Sequence, residues 1–177
     1  MTPTRALSCL VALAVLPSAP ALPAERDGWQ ELRQPAKVFV LQGLDGKALR
    51  STELAGRVVV VDFWATWCAP CIKELPDLAA YHERLRDRTD VTLISLNVID
   101  ERETLAAFVE EKKISFPVYK ADALVGPYEL TVFPTKLVID MRSAGPGRPG
   151  VVRFRREGAA PVASIEARVA EVLAETP

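Results

Sequence analysis

The sequence predicts a single α/β domain in which a mixed β-sheet lies between helices. Apolar runs typical of buried strands alternate with segments whose apolar residues recur every three or four positions. Strand runs on both sides of one such helix predict a parallel crossover. The length of 177 residues fits one domain with a short extra segment. The formal charge of -1 indicates neither a nucleic-acid footprint nor a polybasic membrane patch.

Individual elements follow from local patterns. Residues 57–64 are β-branched and aromatic almost throughout, which is typical of a strand buried on both faces. The Asp-Gly turn within residues 44–49 predicts a β-hairpin after a strand at 37–41, and Asp100 is a candidate helix cap. The remaining elements are predicted, in chain order, as a helix at 70–86, a strand at 91–98, a helix around 105–109, strands at 116–119, 136–140 and 151–155, and a helix at 162–174.

The N-terminal residues 1–24 have the pattern of a secretory signal peptide. A positive Arg5 precedes an apolar run at 6–16, and prolines and small residues follow up to a plausible cleavage point after Ala21 or Ala24. A retained membrane anchor is the alternative, although the run is about half of the ~20 residues that a spanning helix needs. The sequence therefore predicts export to the periplasm, with a loose, polar lead-in at 25–35 and the folded domain at 36–177.

The cysteine count changes when the signal is removed. Cys9 leaves with it, so that Cys68 and Cys71 are the two cysteines of the mature chain. A domain of this size does not need a disulfide for stability, and a bridge over so short a loop stabilises little. The pair is therefore a poor structural staple, which leaves a reactive dithiol or half of a metal site.

The position of this pair indicates reactivity. The stretch "VVVVDFWATWCAPCIKELP" places the two cysteines where a buried strand meets the start of a helix. Free backbone N–H groups and the helix dipole would favour the thiolate of Cys68. Cys71 lies one turn further in and is positioned to attack a mixed disulfide formed by Cys68. Pro70 fits the first turn, where its missing N–H costs little.

The segment "DFWATWCAPC" resembles the thioredoxin active site. Together with "LDGKAL" and "ELAGRVVVV" before it and "VFPTKLVID" after it, it resembles the TlpA/ResA-like branch of exported thioredoxins over about residues 39–140. The resemblance implies a thioredoxin-like fold with an N-terminal β-hairpin extension. It also implies a thiol–disulfide oxidoreductase whose redox group is the Cys68–Cys71 pair, with no other cofactor and no metal.

The resemblance also implies residue roles. Cys68 would be the nucleophile and Cys71 the resolving thiol, while Pro134 matches the cis-proline that faces the disulfide in thioredoxin-like proteins. The residues expected to contact substrate surround the dithiol and this proline: Trp67, Pro70, Phe133, Pro134 and Thr135.

Two carboxylates are further candidates. Asp62 lies in an apolar run and matches the buried Asp of classical thioredoxins, where TlpA/ResA-like proteins often have Asn. A buried carboxyl would exchange a proton with Cys71. Glu74, one turn after Cys71, either tunes the thiols or is a solvated Glu near a helix start.

Other polar residues are interpreted as structural. His82 is roughly 16 Å along the helix from Cys71, too far to act as its base. Lys73 and Lys136 are expected to be solvated lysines that flank the site. The "RFRR" segment at 153–156 is expected to be a charged edge strand.

The resemblance points to a reductant acting on cysteine-containing exported proteins, such as apocytochrome c or the copper-site cysteines of a respiratory oxidase. Electrons would come from a membrane thiol reductase, and the chain would act as a monomer without nucleic-acid partners. A general periplasmic dithiol oxidant, a copper-handling protein and a peroxidase remain alternative functions.

Overall fold

The computed structural model describes residues 25–177. Within them lie nine strands and three helices. The strands are β1 (Glu25–Arg26), β2 (Trp29–Pro35), β3 (Val40–Gly43), β4 (Ala48–Arg50), β5 (Val58–Trp64), β6 (Val91–Asn97), β7 (Val118–Lys120), β8 (Thr135–Asp140) and β9 (Val151–Glu157). The helices are α1 (Ala69–Arg84), α2 (Arg102–Glu111) and α3 (Val162–Ala174).

All nine strands belong to one mixed sheet in the order β1-β2-β9-β8-β5-β6-β7-β3-β4. The central strand β5 is buried along its whole length. It pairs in parallel with β6, across the α1 crossover, and antiparallel with β8. This confirms the predicted α/β class and places the residues after β5 and those before β8 at the same end of the sheet.

Helices α1 and α3 pack on one face of β5. Their apolar side chains share a buried cluster with the strand residues Val58 and Val60. The opposite face of β5 packs against the irregular segment before β8, which contributes Leu124 and Tyr128. Side chains of α2 join a third cluster beside the two cysteines. Burial on both faces explains why β5 is continuously apolar except at Asp62.

The predicted loose lead-in at 25–35 is wrong. Residues 25–26 and 29–35 form strands β1 and β2, and β2 extends the sheet by pairing with β9. Trp29 anchors β2 because its side chain is buried and its Nε1–H donates to Ser164 Oγ over 2.7 Å. The remaining β2 side chains are largely exposed, so the strand reads as polar in the sequence.

The prediction of an edge strand at 153–156 is also wrong. Strand β9 lies inside the sheet, between β2 and β8. Arg153 is 3% exposed, and its guanidinium forms a 2.7 Å ion pair with Glu175. Arg155 reaches the carbonyl oxygen of Tyr128 over 2.6 Å. Guanidinium groups that the sequence suggests are solvated therefore have partners within the fold.

At the other end of the sheet, β3 and β4 form the predicted hairpin. Its turn contains Gly46 at φ +80°, a conformation that glycine adopts without steric cost. Strand β3 begins at Val40, three residues later than predicted. In residues 25–177, no helix combines the length and hydropathy required to span a membrane. The predicted signal peptide lies outside the described residues.

Candidate active site

The two cysteines form a disulfide at the N-terminus of α1. Cys68 is the N-cap of the helix, and its Sγ accepts a hydrogen bond from the Cys71 N–H over 3.3 Å. Pro70 lies in the first turn, where no intrahelical donor is needed. The site thus combines a strand end, a three-residue turn and a helix N-terminus that favours negative charge on Cys68.

Both cysteines are buried, with 4% of Cys68 and 2% of Cys71 exposed. In the disulfide form, the turn before α1 therefore does not expose Cys68 to solvent. Trp67 is 61% exposed, and its ring contacts the Phe133 ring edge-on, with 5.9 Å between their centroids. The exposed rim of the site is therefore aromatic, while the sulfurs lie in an apolar surrounding.

The segment before β8 forms the other side of the site. The Phe133–Pro134 peptide bond is cis, and Pro134 is buried. Thr135 fixes this segment because its hydroxyl donates to the carbonyl oxygen of Val132 over 2.6 Å. Antiparallel pairing of β8 with β5 places these residues at the sheet end that carries the cysteines.

A charged cluster is buried beneath the start of α1. The Lys136 ammonium lies 3.1 Å from Asp62 Oδ1 and 2.8 Å from Glu74 Oε2. The Lys136 side chain is 0% exposed, that of Asp62 3% and that of Glu74 13%. Glu74 Oε1 also accepts a hydrogen bond from the Ala160 N–H over 2.6 Å. We call these three side chains the Asp62–Lys136–Glu74 cluster.

Burial and charge act in opposite directions within this cluster. Burial raises the pKa of Glu74, and the neighbouring ammonium offsets only part of this increase. Burial by itself would lower the pKa of Lys136, but the charges of Asp62 and Glu74 outweigh it and raise this pKa above its usual value. Lys136 therefore remains charged, and Glu74 is a carboxylate that takes up a proton more readily than a solvated one.

The expectation of a solvated Lys136 is wrong, and the alternative of a solvated Glu74 is also wrong. The signal that could have found this lysine is its place in the strand after Pro134, followed by three apolar residues. Its pairing opposite Asp62 depends on strand register, which a single sequence does not specify. Lys73 is exposed on α1, as expected. His82 contacts the Phe116 ring, with 5.8 Å between ring centroids, which fits its structural interpretation.

Asp100 was predicted to cap α2, but the N-cap is Glu101. Asp100 instead holds the turn that leads to Cys68. Its carboxylate accepts hydrogen bonds from the Thr66 N–H over 2.7 Å and from the Thr66 hydroxyl over 2.8 Å. The Asn97 side-chain amide donates to the same carboxylate over 2.6 Å.

Replacing Asp100 by alanine is expected to lower the free energy of unfolding by about 1.5–3 kcal/mol, because hydrogen bonds to a charged acceptor are lost and buried donors remain. The loosened turn would also slow disulfide exchange. Urea unfolding checks the first effect, with Asp77→Ala on the exposed side of α1 as the control. Equal unfolding midpoints for the two variants would contradict this role of Asp100.

The fold and site together define a thioredoxin-like protein with a disulfide at the start of its first helix. Residues 32–141 match the model of the AhpC/TSA family. The chain therefore belongs to the AhpC/TSA family.

Curated relatives agree with the resemblance to the TlpA/ResA-like branch. The thiol-disulfide oxidoreductase ResA of Bacillus cereus is 30% identical over 112 residues, which are 62% of this chain and 64% of that protein. ResA of Bacillus subtilis (strain 168) is 29% identical over 104 residues, 58% of each chain. The match thus spans less than two thirds of the length of these relatives.

Solved structures confirm the thioredoxin-like fold. A thiol:disulfide interchange protein of the thioredoxin family from Chlorobium tepidum TLS has a TM-score of 0.67 and 27% identity, and the match covers 80% of this chain and 97% of that one. A secreted thiol-disulfide isomerase from Corynebacterium glutamicum has a TM-score of 0.69 at 19% identity, and the match covers 92% of this chain and 99% of that one. The second likeness concerns the fold alone.

Proposed function

We propose that this chain is an exported thiol–disulfide oxidoreductase that exchanges electrons between the Cys68–Cys71 pair and cysteines of client proteins. The observation that carries the proposal is the disulfide at the N-cap of α1, at the same sheet end as the Phe133–Pro134 segment. The names of the ResA relatives support the same reaction class.

In the reducing direction, the Cys68 thiolate attacks a client disulfide and forms a mixed disulfide, releasing one client thiolate. Cys71 then loses its proton and attacks the Cys68 sulfur. The second client thiolate leaves, so that the client gains two electrons and the pair becomes a disulfide. Asp62 and Glu74 are the proposed acceptors of the Cys71 proton, since both are buried close to the start of α1.

Trp67 and Phe133 form an aromatic rim against which a client segment would pack. The backbone of Phe133 before Pro134 would pair with that segment in an extended conformation. Pro70 and Thr135 shape the two sides of this contact. The proposed roles rest on these positions around the disulfide and on the resemblance stated above.

We assign this exchange to the periplasm, reached through the predicted signal peptide at 1–24 or from a retained anchor. The proposed clients are exported proteins whose cysteines must be reduced before use, namely apocytochrome c or the copper-site cysteines of a respiratory oxidase. Each turnover leaves an oxidised pair, and a membrane thiol reductase is the proposed donor that reduces it again.

The direction of electron flow is tested by equilibrium with glutathione. As a reductant, the protein is expected to have a reduction potential near the roughly -270 mV of thioredoxin. A potential near the roughly -120 mV of a strong dithiol oxidant would contradict the reductant proposal and favour a general periplasmic oxidant. Thiol trapping with an alkylating reagent, followed by mass measurement, gives the reduced fraction.

Two alternatives are separated by simple assays. Within residues 25–177, no group of three or more His, Cys, Asp or Glu side chains lies together in a metal-binding arrangement. Tight binding of one copper(I) equivalent to the reduced protein would nevertheless favour a copper-handling function through two thiolates. Turnover of hydrogen peroxide with a thiol donor would favour a peroxidase.

A further inference from the structure

A groove of about 1170 Å³ opens on the protein surface beside β3. Two segments contribute most of its lining: residues 36–41, which lead into β3 and begin it, and residues 144–150 of the loop between β8 and β9. Pockets that bind small ligands are commonly about 300–1,000 Å³, so this groove has room for an elongated molecule. The thiol chemistry described above uses none of these residues.

The groove lies at the opposite end of the sheet from the disulfide. Met141, which lines the groove, follows the last residue of β8, and its N–H donates to the carbonyl oxygen of Arg57 over 2.9 Å, just before β5 begins. The cysteines follow Trp64, at the other end of β5. A strand rises about 3.3 Å per residue, so the length of β5 separates the two places by roughly 20 Å. A molecule in the groove is therefore clear of the disulfide.

Backbone hydrogen bonds and close packing hold the groove in shape. The Ala36 N–H donates to the carbonyl oxygen of Gly150 over 2.8 Å, which joins the two lining segments. Within the loop, Gly145 and Arg148 exchange two backbone hydrogen bonds of 2.9 Å. Gly150 packs so closely that a Cβ atom at this position would overlap the sulfur of Met141. The groove is therefore built into the fold, as binding pockets usually are.

The lining of the groove is largely aliphatic. Leu41, Leu124 and Met141 are buried and form its floor. Val38 and Val40 are 75% and 53% exposed and form part of its rim. Burying each CH₂ group of a ligand against such a surface is favourable by about 0.8 kcal/mol. Apolar side chains that are exposed beside a groove are typical of a binding surface.

The charge of the groove has one sign. Among residues 25–177, its lining includes two cations, Lys37 and Arg148, and no carboxylate. Neither cation forms an ion pair within these residues, although Arg148 Nε donates to the carbonyl oxygen of Ser143 over 2.6 Å. The neighbouring Arg142, by contrast, pairs with Asp140 at 2.8 Å. The groove thus combines an aliphatic floor with positive charge that has no counter-charge in this part of the chain, and an anionic group would supply it.

We propose that this groove is a binding site for an amphipathic carboxylate of the fatty-acid type, which has a linear hydrocarbon chain and one anionic head. The hydrocarbon chain packs on the aliphatic floor, and the carboxylate accepts charge-assisted hydrogen bonds from Lys37 and Arg148. The positive charge favours an anion over a cation, and the floor favours a long chain over a compact anion. The site does not depend on the proposed redox function.

Isothermal titration calorimetry with dodecanoate, below its critical micelle concentration, tests the site. One equivalent is expected to bind. Butanoate keeps the carboxylate but lacks most of the chain, and dodecyltrimethylammonium keeps the chain but reverses the charge. Each is expected to bind weaker by roughly tenfold or more. If dodecanoate shows no saturable binding of one equivalent, or if dodecyltrimethylammonium binds equally well, the inference is overturned.

Two double variants of equal net charge test the role of the cations. Lys37→Gln/Arg148→Gln removes both positive charges at exposed positions and is expected to weaken dodecanoate binding by roughly tenfold or more. Lys112→Gln/Lys113→Gln makes the same change of charge just after α2, outside the groove, and is expected to bind as the wild type does. Wild-type affinity in the first variant, or an equal loss in both, would contradict the proposal.

Met141 reports where dodecanoate binds, because Met1 is the only other methionine in the sequence. In protein labelled with carbon-13 at the methionine methyl groups, the Met141 signal is expected to shift as one equivalent of dodecanoate is added. The spectrum of Met141→Leu assigns this signal. An unshifted Met141 signal would place bound dodecanoate elsewhere and refute the site.

A second copy of the chain is the rival occupant of the groove. Light scattering after size-exclusion chromatography is expected to show a monomer with and without dodecanoate. A dimer that Val38→Lys dissociates would assign the groove to the second copy and overturn the proposal. Cys68→Ser/Cys71→Ser is expected to bind dodecanoate as the wild type does, so failure of the redox function and failure of the groove site are separate results.

Discussion

Cys68→Ser is expected to reduce turnover of a model protein disulfide to the uncatalysed background rate. The N-cap position favours negative charge on the sulfur of Cys68, and a serine hydroxyl does not ionise in this pH range. Cys71→Ser is expected to retain the first attack and lose the second. It would therefore accumulate a mixed disulfide between Cys68 and the client.

Nonreducing gel electrophoresis and intact mass measure this accumulation, with the Cys68→Ser/Cys71→Ser double variant as the control that captures nothing. Sustained multiple turnover by Cys71→Ser would contradict the resolving role of Cys71. If Cys68→Ser captured the client and Cys71→Ser did not, Cys71 would be the nucleophile and Cys68 the resolving thiol. In cell extracts, the protein that Cys71→Ser traps as a mixed disulfide would identify the natural client.

Lys136→Met is expected to lower the free energy of unfolding by about 3–5 kcal/mol, which is the typical cost of removing one partner of a buried ion pair. This is a large share of the roughly 5–15 kcal/mol by which most domains are stable. The cost arises because the carboxylates of Asp62 and Glu74 stay buried without their counter-charge. Chemical denaturation at several pH values measures it.

The pH dependence of this loss has a definite sign. In the variant, no ammonium offsets the burial of Glu74, so the folded-state pKa of this carboxyl group lies further above the unfolded value of about 4. The stability associated with such raised groups is fully present below that value and is lost as pH rises through the folded-state pKa. The variant is therefore expected to approach wild-type stability near pH 4 and to differ most at neutral pH.

A triple variant separates charge from packing. Asp62→Asn, Glu74→Gln and Lys136→Met together remove all three charges with little change of volume, and replacing a whole buried ion cluster is often tolerated. The triple variant is expected to recover most of the stability lost by Lys136→Met alone. If it is as unstable as the single variant, packing around Lys136 and not its charge causes the loss.

The local parts of the site could be predicted from the sequence. Cys68 and Cys71 are separated by two residues at a strand–helix junction, and the "FPT" segment precedes a strand, so short motifs define both sides of the disulfide. The fully buried strand β5 and the crossover through α1 follow from the apolar pattern around them.

The parts of the fold and site that depend on strand register, on a weak strand pattern or on contacts distant in sequence could not be predicted. Lys136 resembles any surface lysine until its pairing with Asp62 is known. The residues 29–35 contain one buried side chain, Trp29, so their pattern shows little of the alternation that indicates a strand. Asp100 precedes α2 as a cap would, but its hydrogen bonds go to a turn 34 positions away in sequence.

The position of β2 also has a consequence for association between molecules. By pairing along β9, β2 occupies the backbone hydrogen-bonding groups of a seven-residue strand that would otherwise end the sheet. A chain shortened to begin at residue 36 would leave those groups unpaired, together with the hydrophobic pocket that Trp29 fills. Such an open strand is a template for pairing with another chain. In the chain described here, β2 therefore keeps β9 inside the sheet and, beyond the two residues paired with β1, leaves as the edge a polar strand that contains Pro35.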